Sequence, residues 1–181
     1  MTVWSEEESL SGSIDFQIAR DGFVNLFSNN GLLSESETWL AERGYQMIRF
    51  DAASWPPTLH VDVAREFHFP SYYGHNLDAL ADCLSDVAAA NYGWRDPSDS
   101  VPTGLVIVFQ NFSTVLGYDS KLASAVLNIF ARAAAEAALF GNRMLVLVRV
   151  DESDAEVKLN PQPIVWNSRE WPGHLSGQSH Q

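Results

Sequence analysis

Two uninterrupted apolar runs, Leu105-Val-Ile-Val-Phe109 and Met144-Leu-Val-Leu-Val148, constrain this chain more than any other feature. A strand with one wet face alternates apolar and polar side chains; a run without polar interruption is covered on both faces. Between the two runs, residues 120–140 are alanine-rich, with Val126, Leu127, Ile129 and Phe130 supplying bulk, and Gly141-Asn142 marks the stop. Apolar strands separated by helical segments predict a small, mostly parallel sheet joined by crossovers and covered by helices, an α/β fold.

Further elements follow from local patterns. Gly22-Phe-Val-Asn-Leu-Phe27 is the best strand candidate in a weakly alternating stretch that starts at Asp15. Ser28-Asn-Asn-Gly31 reads as a turn, and Ser34 with Glu37 forms a capping-box pattern ahead of Trp39 and Leu40, with Gly44 ending the helix. Tyr45–Phe50 alternates as a strand does. After Trp55-Pro-Pro57, a helix over 58–68 places Leu59, Val63 and Phe67 on one face. A second helix over 76–89 carries Leu77, Leu80, Leu84 and Val87 as its apolar stripe, with Asp78, Asp82 and Asp86 on another side. Ile164-Val-Trp166 and Trp171 are expected to pack back onto the domain, whereas residues 1–13, acidic and serine-rich, read as frayed.

With 181 residues the chain is long enough for one well-cored domain. Its formal net charge of -12 disfavours nucleic acid and anionic membrane as targets and favours a cationic protein. The charge is uneven, but Glu66 to Asp86 holds four acids and no Lys or Arg, so the local field there is strongly negative. Cys83 is the single cysteine, which excludes an intrachain disulfide and reads as buried filler on a leucine-lined helix. Glu6, Glu7 and Glu8 stand where a signal peptide needs basic residues, and no stretch reads as a membrane span. The expectation is a cytoplasmic protein.

The candidate site is the stretch from Phe69 to Leu84. Tyr72 and Tyr73 offer large amphipathic area at small entropic cost, Gly74 permits close approach, and Asn76 can cap the following helix. Outward-facing Asp78 and Asp82 could take arginines or lysines of a partner in charge-assisted hydrogen bonds. The plainer alternatives are a solvated acidic face and tyrosines that pack inward to fix the start of the helix; one ring inward and one outward also fits. As an enzyme, His75 with Asp78 or Asp82 would be a metal or acid–base pair, yet neither spacing nor the other histidines builds a recognised cluster. No catalytic residue, metal ligand or cofactor site is assigned.

Pro70-x-Tyr-Tyr-Gly-x-Asn-Leu-Asp-Ala-Leu-x-Asp-Cys-Leu84 resembles the signature of the barstar family, intracellular inhibitors of secreted guanyl-preferring ribonucleases of the barnase type. More loosely, Leu105–Phe112 resembles that family's second strand with the Gln-x-Phe-like end that follows it, Val126–Phe130 its third main helix and Met144–Val150 its last strand. The resemblance implies a barstar-like domain over 45–150, with residues 1–44 and 151–181 as N- and C-terminal extensions. It also implies that Tyr72, Tyr73, Gly74, Asn76, Leu77, Asp78, Ala81 and Asp82 form a face that binds a basic secreted or toxin ribonuclease, with Asp82 taking the place of a substrate phosphate. Such a protein has no chemistry of its own and is monomeric when free.

Two positions depart from the pattern. Ala81 stands where the best-known member has tryptophan. Arg132 stands near a glutamate that contacts the enzyme, with Glu136 one turn later. Two alternatives are a barstar-like interaction module that inhibits no nuclease and a metal-dependent enzyme using His75 and the acids.

Overall fold

A computed structural model describes Trp4, Ser5, Glu7 and residues 12–94, 101–151 and 164–173. The acidic start as a whole, the Trp171 side chain and the last residues of the tail lie outside the described residues. In chain order the elements are α1 (Ile14–Gly22), β1 (Val24–Phe27), α2 (Asn30–Glu42), β2 (Tyr45–Asp51), α3 (Leu59–Phe67), α4 (Leu77–Ala88), β3 (Gly104–Gln110), α5 (Phe112–Tyr118), α6 (Ser120–Leu139), β4 (Met144–Arg149) and β5 (Ile164–Trp166). Short 3-10 segments, Ala52–Ser54 and Ser168–Gly173, follow β2 and β5.

The strands form one five-stranded sheet, ordered β2-β3-β4-β1-β5, and every pairing is parallel. The two apolar runs occupy its centre, with Ile107 opposite Val146. Leu105, Ile107, Phe109, Met144, Val146 and Val148 face one core, shared with α3, α4, α5 and α6. Val106, Val108, Leu145 and Leu147 face a second core on the other side, shared with Ile18 of α1 and Leu33 and Leu40 of α2. Both sides of β3 and β4 are therefore dry, which is why neither strand alternates.

The additional N-terminal strand extends the sheet at the β4 edge: Val24 to Phe27 pair with Val146 to Arg149, and β5 adds beyond β1. Meanwhile α2 packs against β2 on the second face. Polar ties lock these outer elements together. Buried Asn25 donates from Nδ2 to the Ile18 carbonyl at 3.1 Å and accepts from Asn167 Nδ2 at 2.8 Å. Glu170 accepts from Ser28 Oγ at 2.8 Å and from the Asn29 amide at 3.0 Å.

Three expectations need correction. Residues 14–22 are helical, not weakly extended, because the buried side of α1 carries Asp15 beside Ile18 and a buried acid disguises the period. Helix α2 begins at Asn30 and not after Ser34; its cap is Asn29, whose Oδ1 accepts from the Gly31 and Leu32 amides at 2.7 and 3.3 Å. After β3, Asn111 turns the chain in a left-handed conformation (φ 56°), and Phe112 opens the short helix α5. Finally, α6 is by length and composition apolar enough to cross a membrane. Its apolar side, including Val126, Leu127, Phe130 and Ala134, is buried in the first core, so it packs as a core helix.

Candidate partner-binding face

The site is assembled by a turn between α3 and α4. Helix α3 ends at His68 in a left-handed conformation (φ 54°), which reverses the chain. Phe69 then stacks on Phe67, with ring centroids 5.6 Å apart. The Tyr73 amide donates to the Pro70 carbonyl at 3.0 Å, closing a tight turn around Ser71 and Tyr72.

This turn separates the two tyrosines. Tyr73 is 5% exposed, with its ring edge-on to Phe69 at 4.9 Å and its hydroxyl 2.6 Å from Nδ1 of His60, in the first turn of α3. Tyr72 is 77% exposed. Burial, with a smaller contribution from Cys83, pushes the Tyr73 phenol far above its ordinary range. Burial, and secondarily the charge of His75, lowers the His60 pKa. Both shifts favour a neutral imidazole hydrogen-bonded to a phenol that keeps its proton.

Asn76 caps α4: its Oδ1 accepts from the Ala79 amide at 2.9 Å, while its Nδ2 donates to the Gly74 carbonyl at 3.1 Å. A Cβ at Gly74 would lie 3.1 Å from Asn76 Nδ2 and 3.3 Å from Ala79 Cβ, so a side chain there would press on the cap. His75, between them, is exposed in a left-handed conformation (φ 50°).

From the cap, helical spacing decides which side of α4 is wet. Leu80, Cys83, Leu84 and Val87 are buried, and Leu77 packs partly against the same core. Asp78 and Asp82 are exposed, with Ala81 half-buried between them. Neither carboxylate is hydrogen-bonded or ion-paired to another side chain among the described residues. Asp86 differs: it is half-buried and accepts from Asn91 Nδ2 at 3.0 Å, so it serves the end of the helix. Glu136 is also occupied, accepting from Ser85 Oγ at 2.8 Å, whereas Arg132 is exposed.

The eight residues singled out from the sequence thus lie on one turn and one helix, but not all of them face outward. Tyr72, Gly74, Asn76, Asp78 and Asp82 are exposed, Leu77 and Ala81 are half-buried, and Tyr73 is a support buried beneath the turn. His60 looked incidental in the sequence, yet it anchors that support. A lone polar residue beside Leu59 on an amphipathic helix gives no local sign of a partner thirteen positions away. Among the described residues, no three His, Cys, Asp or Glu side chains gather so as to hold a metal ion.

The family model described as Barstar (barnase inhibitor) matches residues 46–149. That span starts inside β2 and ends with β4, so β1, α1, α2 and β5 lie outside it. A protein of Bacillus subtilis (strain 168), YrdF, whose name proposes it as a ribonuclease inhibitor, is 37% identical over 78 residues. The aligned segment is 43% of this chain and 71% of the Bacillus protein.

Proposed function

This chain belongs to the barstar family of barnase inhibitors, and we propose that it binds a basic ribonuclease one-to-one, seating Asp78 and Asp82 in its phosphate-binding cleft. A ribonuclease active site is cationic because it holds a phosphodiester; a fixed carboxylate can occupy the same field without being cleaved. The reading rests on one observation: Asp78 and Asp82 are exposed on a capped helix and have no side-chain partners of their own among the described residues. Their charge is therefore available to a partner, and the cap with the turn beneath it limits the ordering cost of binding.

Tyr72 adds an exposed aromatic beside the acids, suited to an interface anchor. The net charge of -12 would accelerate encounter with a basic enzyme. The protein would act by occlusion, without chemistry of its own, and protect the cytoplasm of its producing cell from a toxin or secreted ribonuclease.

The test is inhibition of a purified barnase-type ribonuclease, and of whatever nuclease the protein captures from extract, by wild type and by Asp82→Ala. Stoichiometric inhibition by wild type, weakened by about 2–5 kcal/mol in the variant, is expected if the carboxylate is a buried charge partner. Inhibition of neither enzyme, or equal inhibition by both proteins, would reject the proposal.

A further inference from the structure

Helices α4 and α6 lie side by side and run in the same direction. Ser85 Oγ donates to Glu136 at 2.8 Å, and just past the end of α6 Asn142 Nδ2 donates at 2.9 Å to the carbonyl of Ala88, at the end of α4. One turn before the Ser85–Glu136 contact, α4 presents Asp82 and α6 presents Arg132, both exposed. Residues four apart share a helix face, so Arg132 lies on the side of α6 that carries Glu136 towards α4.

Arg132 forms no hydrogen bond or ion pair with another side chain among the described residues. The run from Glu66 to Trp94 contains no Lys or Arg, so Arg132 is a cation set beside a wholly acidic segment. Placed one turn before the Ser85–Glu136 contact, as Asp82 is on α4, its positive charge opposes the negative field of that carboxylate. On a surface meant for a uniformly cationic cleft, that placement opposes binding. It favours binding if the cleft has an acid at the matching edge, because opposite charges then face each other across the whole contact.

We propose that Arg132 is a specificity-determining residue of the partner-binding face, selecting ribonucleases whose cationic cleft is bordered by a carboxylate on the side that meets α6. The inference rests on the inhibitory reading of Asp78 and Asp82, and it narrows the partner by chemistry. Like-charge contact then rejects related enzymes whose cleft edge is basic throughout.

The experiment measures dissociation constants for a purified barnase-type ribonuclease with a uniformly basic cleft edge, using wild type, Arg132→Ala, Arg132→Glu and Asp82→Ala. Affinity should rise in the order wild type, Arg132→Ala, Arg132→Glu, with the last at least roughly tenfold tighter than the first, and the gain should shrink at high salt. Thermal unfolding should be unchanged by either Arg132 substitution, because the side chain is exposed and has no side-chain partner among the described residues. Equal constants across the Arg132 series, with Asp82→Ala weakened, would overturn the role of Arg132 alone. An unweakened Asp82→Ala would overturn the inhibitory reading together with this one.

Discussion

The Tyr73 hydroxyl lies 2.6 Å from Nδ1 of His60, joining the turn that carries the exposed site to the first turn of the preceding helix. Through this contact the position of Tyr72 and the Asn76 cap depends on a residue outside the site.

Substituting the two tyrosines should separate binding from stability. Tyr73→Ala should cost about 3–5 kcal/mol in denaturant unfolding, the range for deleting a buried aromatic. Tyr73→Phe, which removes only the hydrogen bond, should cost about 1 kcal/mol. Tyr72→Ala should leave the unfolding midpoint unchanged and weaken ribonuclease binding by about 2 kcal/mol, as an interface anchor would. A Tyr72→Ala protein that unfolds early and binds normally would contradict this division.

Asn76→Ala removes the acceptor for the Ala79 amide and the donor to Gly74. A stability loss of about 1 kcal/mol is expected from the missing cap. Amide exchange should speed up at Ala79 more than at Leu84, since fraying begins at the uncapped end.

Stability should also decline in mildly acidic solution through His60. Its pKa is lowered in the folded protein from the ordinary 6.5, by burial and then by His75. The unfolded chain therefore binds the proton more readily, and the stabilising contribution is complete above pH 6.5 and lost as the pH falls through the folded value. Unfolding measured between neutral pH and pH 5 should show a shallower decline in His60→Gln than in wild type.

A second pH effect belongs to Asp15. Burial alone would raise its pKa, but hydrogen-bonding neighbours, Ser13 first and then Tyr45, Trp4 and the Phe16 amide, outweigh that and hold it below 3.8. Arg143 lies 3.3 Å from the same carboxylate. A depressed carboxylate contributes stability above its unfolded pKa and loses it as pH falls through the folded one. Asp15→Ala should cost about 3–5 kcal/mol at pH 7, the range for removing one member of a buried ion pair. The gap to wild type should close on acid titration.

Gly104 opens β3 where two neighbours approach closely. A Cβ there would lie 2.4 Å from Tyr45 Cε1 and 2.7 Å from the Arg143 carbonyl oxygen. Gly104→Ala should destabilise by about 1–3 kcal/mol, as overpacking does, and the shift should appear in the thermal unfolding midpoint.

Local patterns carried much of this architecture. The runs at 105–109 and 144–148 required two dry faces because successive apolar side chains of a strand point to opposite sides, and the described core supplies both faces. Asn76 was legible as a cap because it precedes an apolar stripe at helical spacing, and that stripe also placed Asp78 and Asp82 on the wet side. The paired tyrosines were not assignable, since a turn has no period from which to read direction. The helix around Asp15 was hidden for a related reason: its buried polar residue finds donors from Trp4 and Tyr45, which sequence spacing does not reveal.

By itself the sequence determined which segments are apolar, where a helix can start and which side of α4 carries charge, because these depend on neighbours a few positions away. The tertiary structure alone decided that β1 lies beside β4, that His60 holds Tyr73 and that Ser85 of α4 meets Glu136 of α6. Those relations join residues distant along the chain. They are selected by the simultaneous packing of two cores and the pairing of buried polar groups, which no local period encodes.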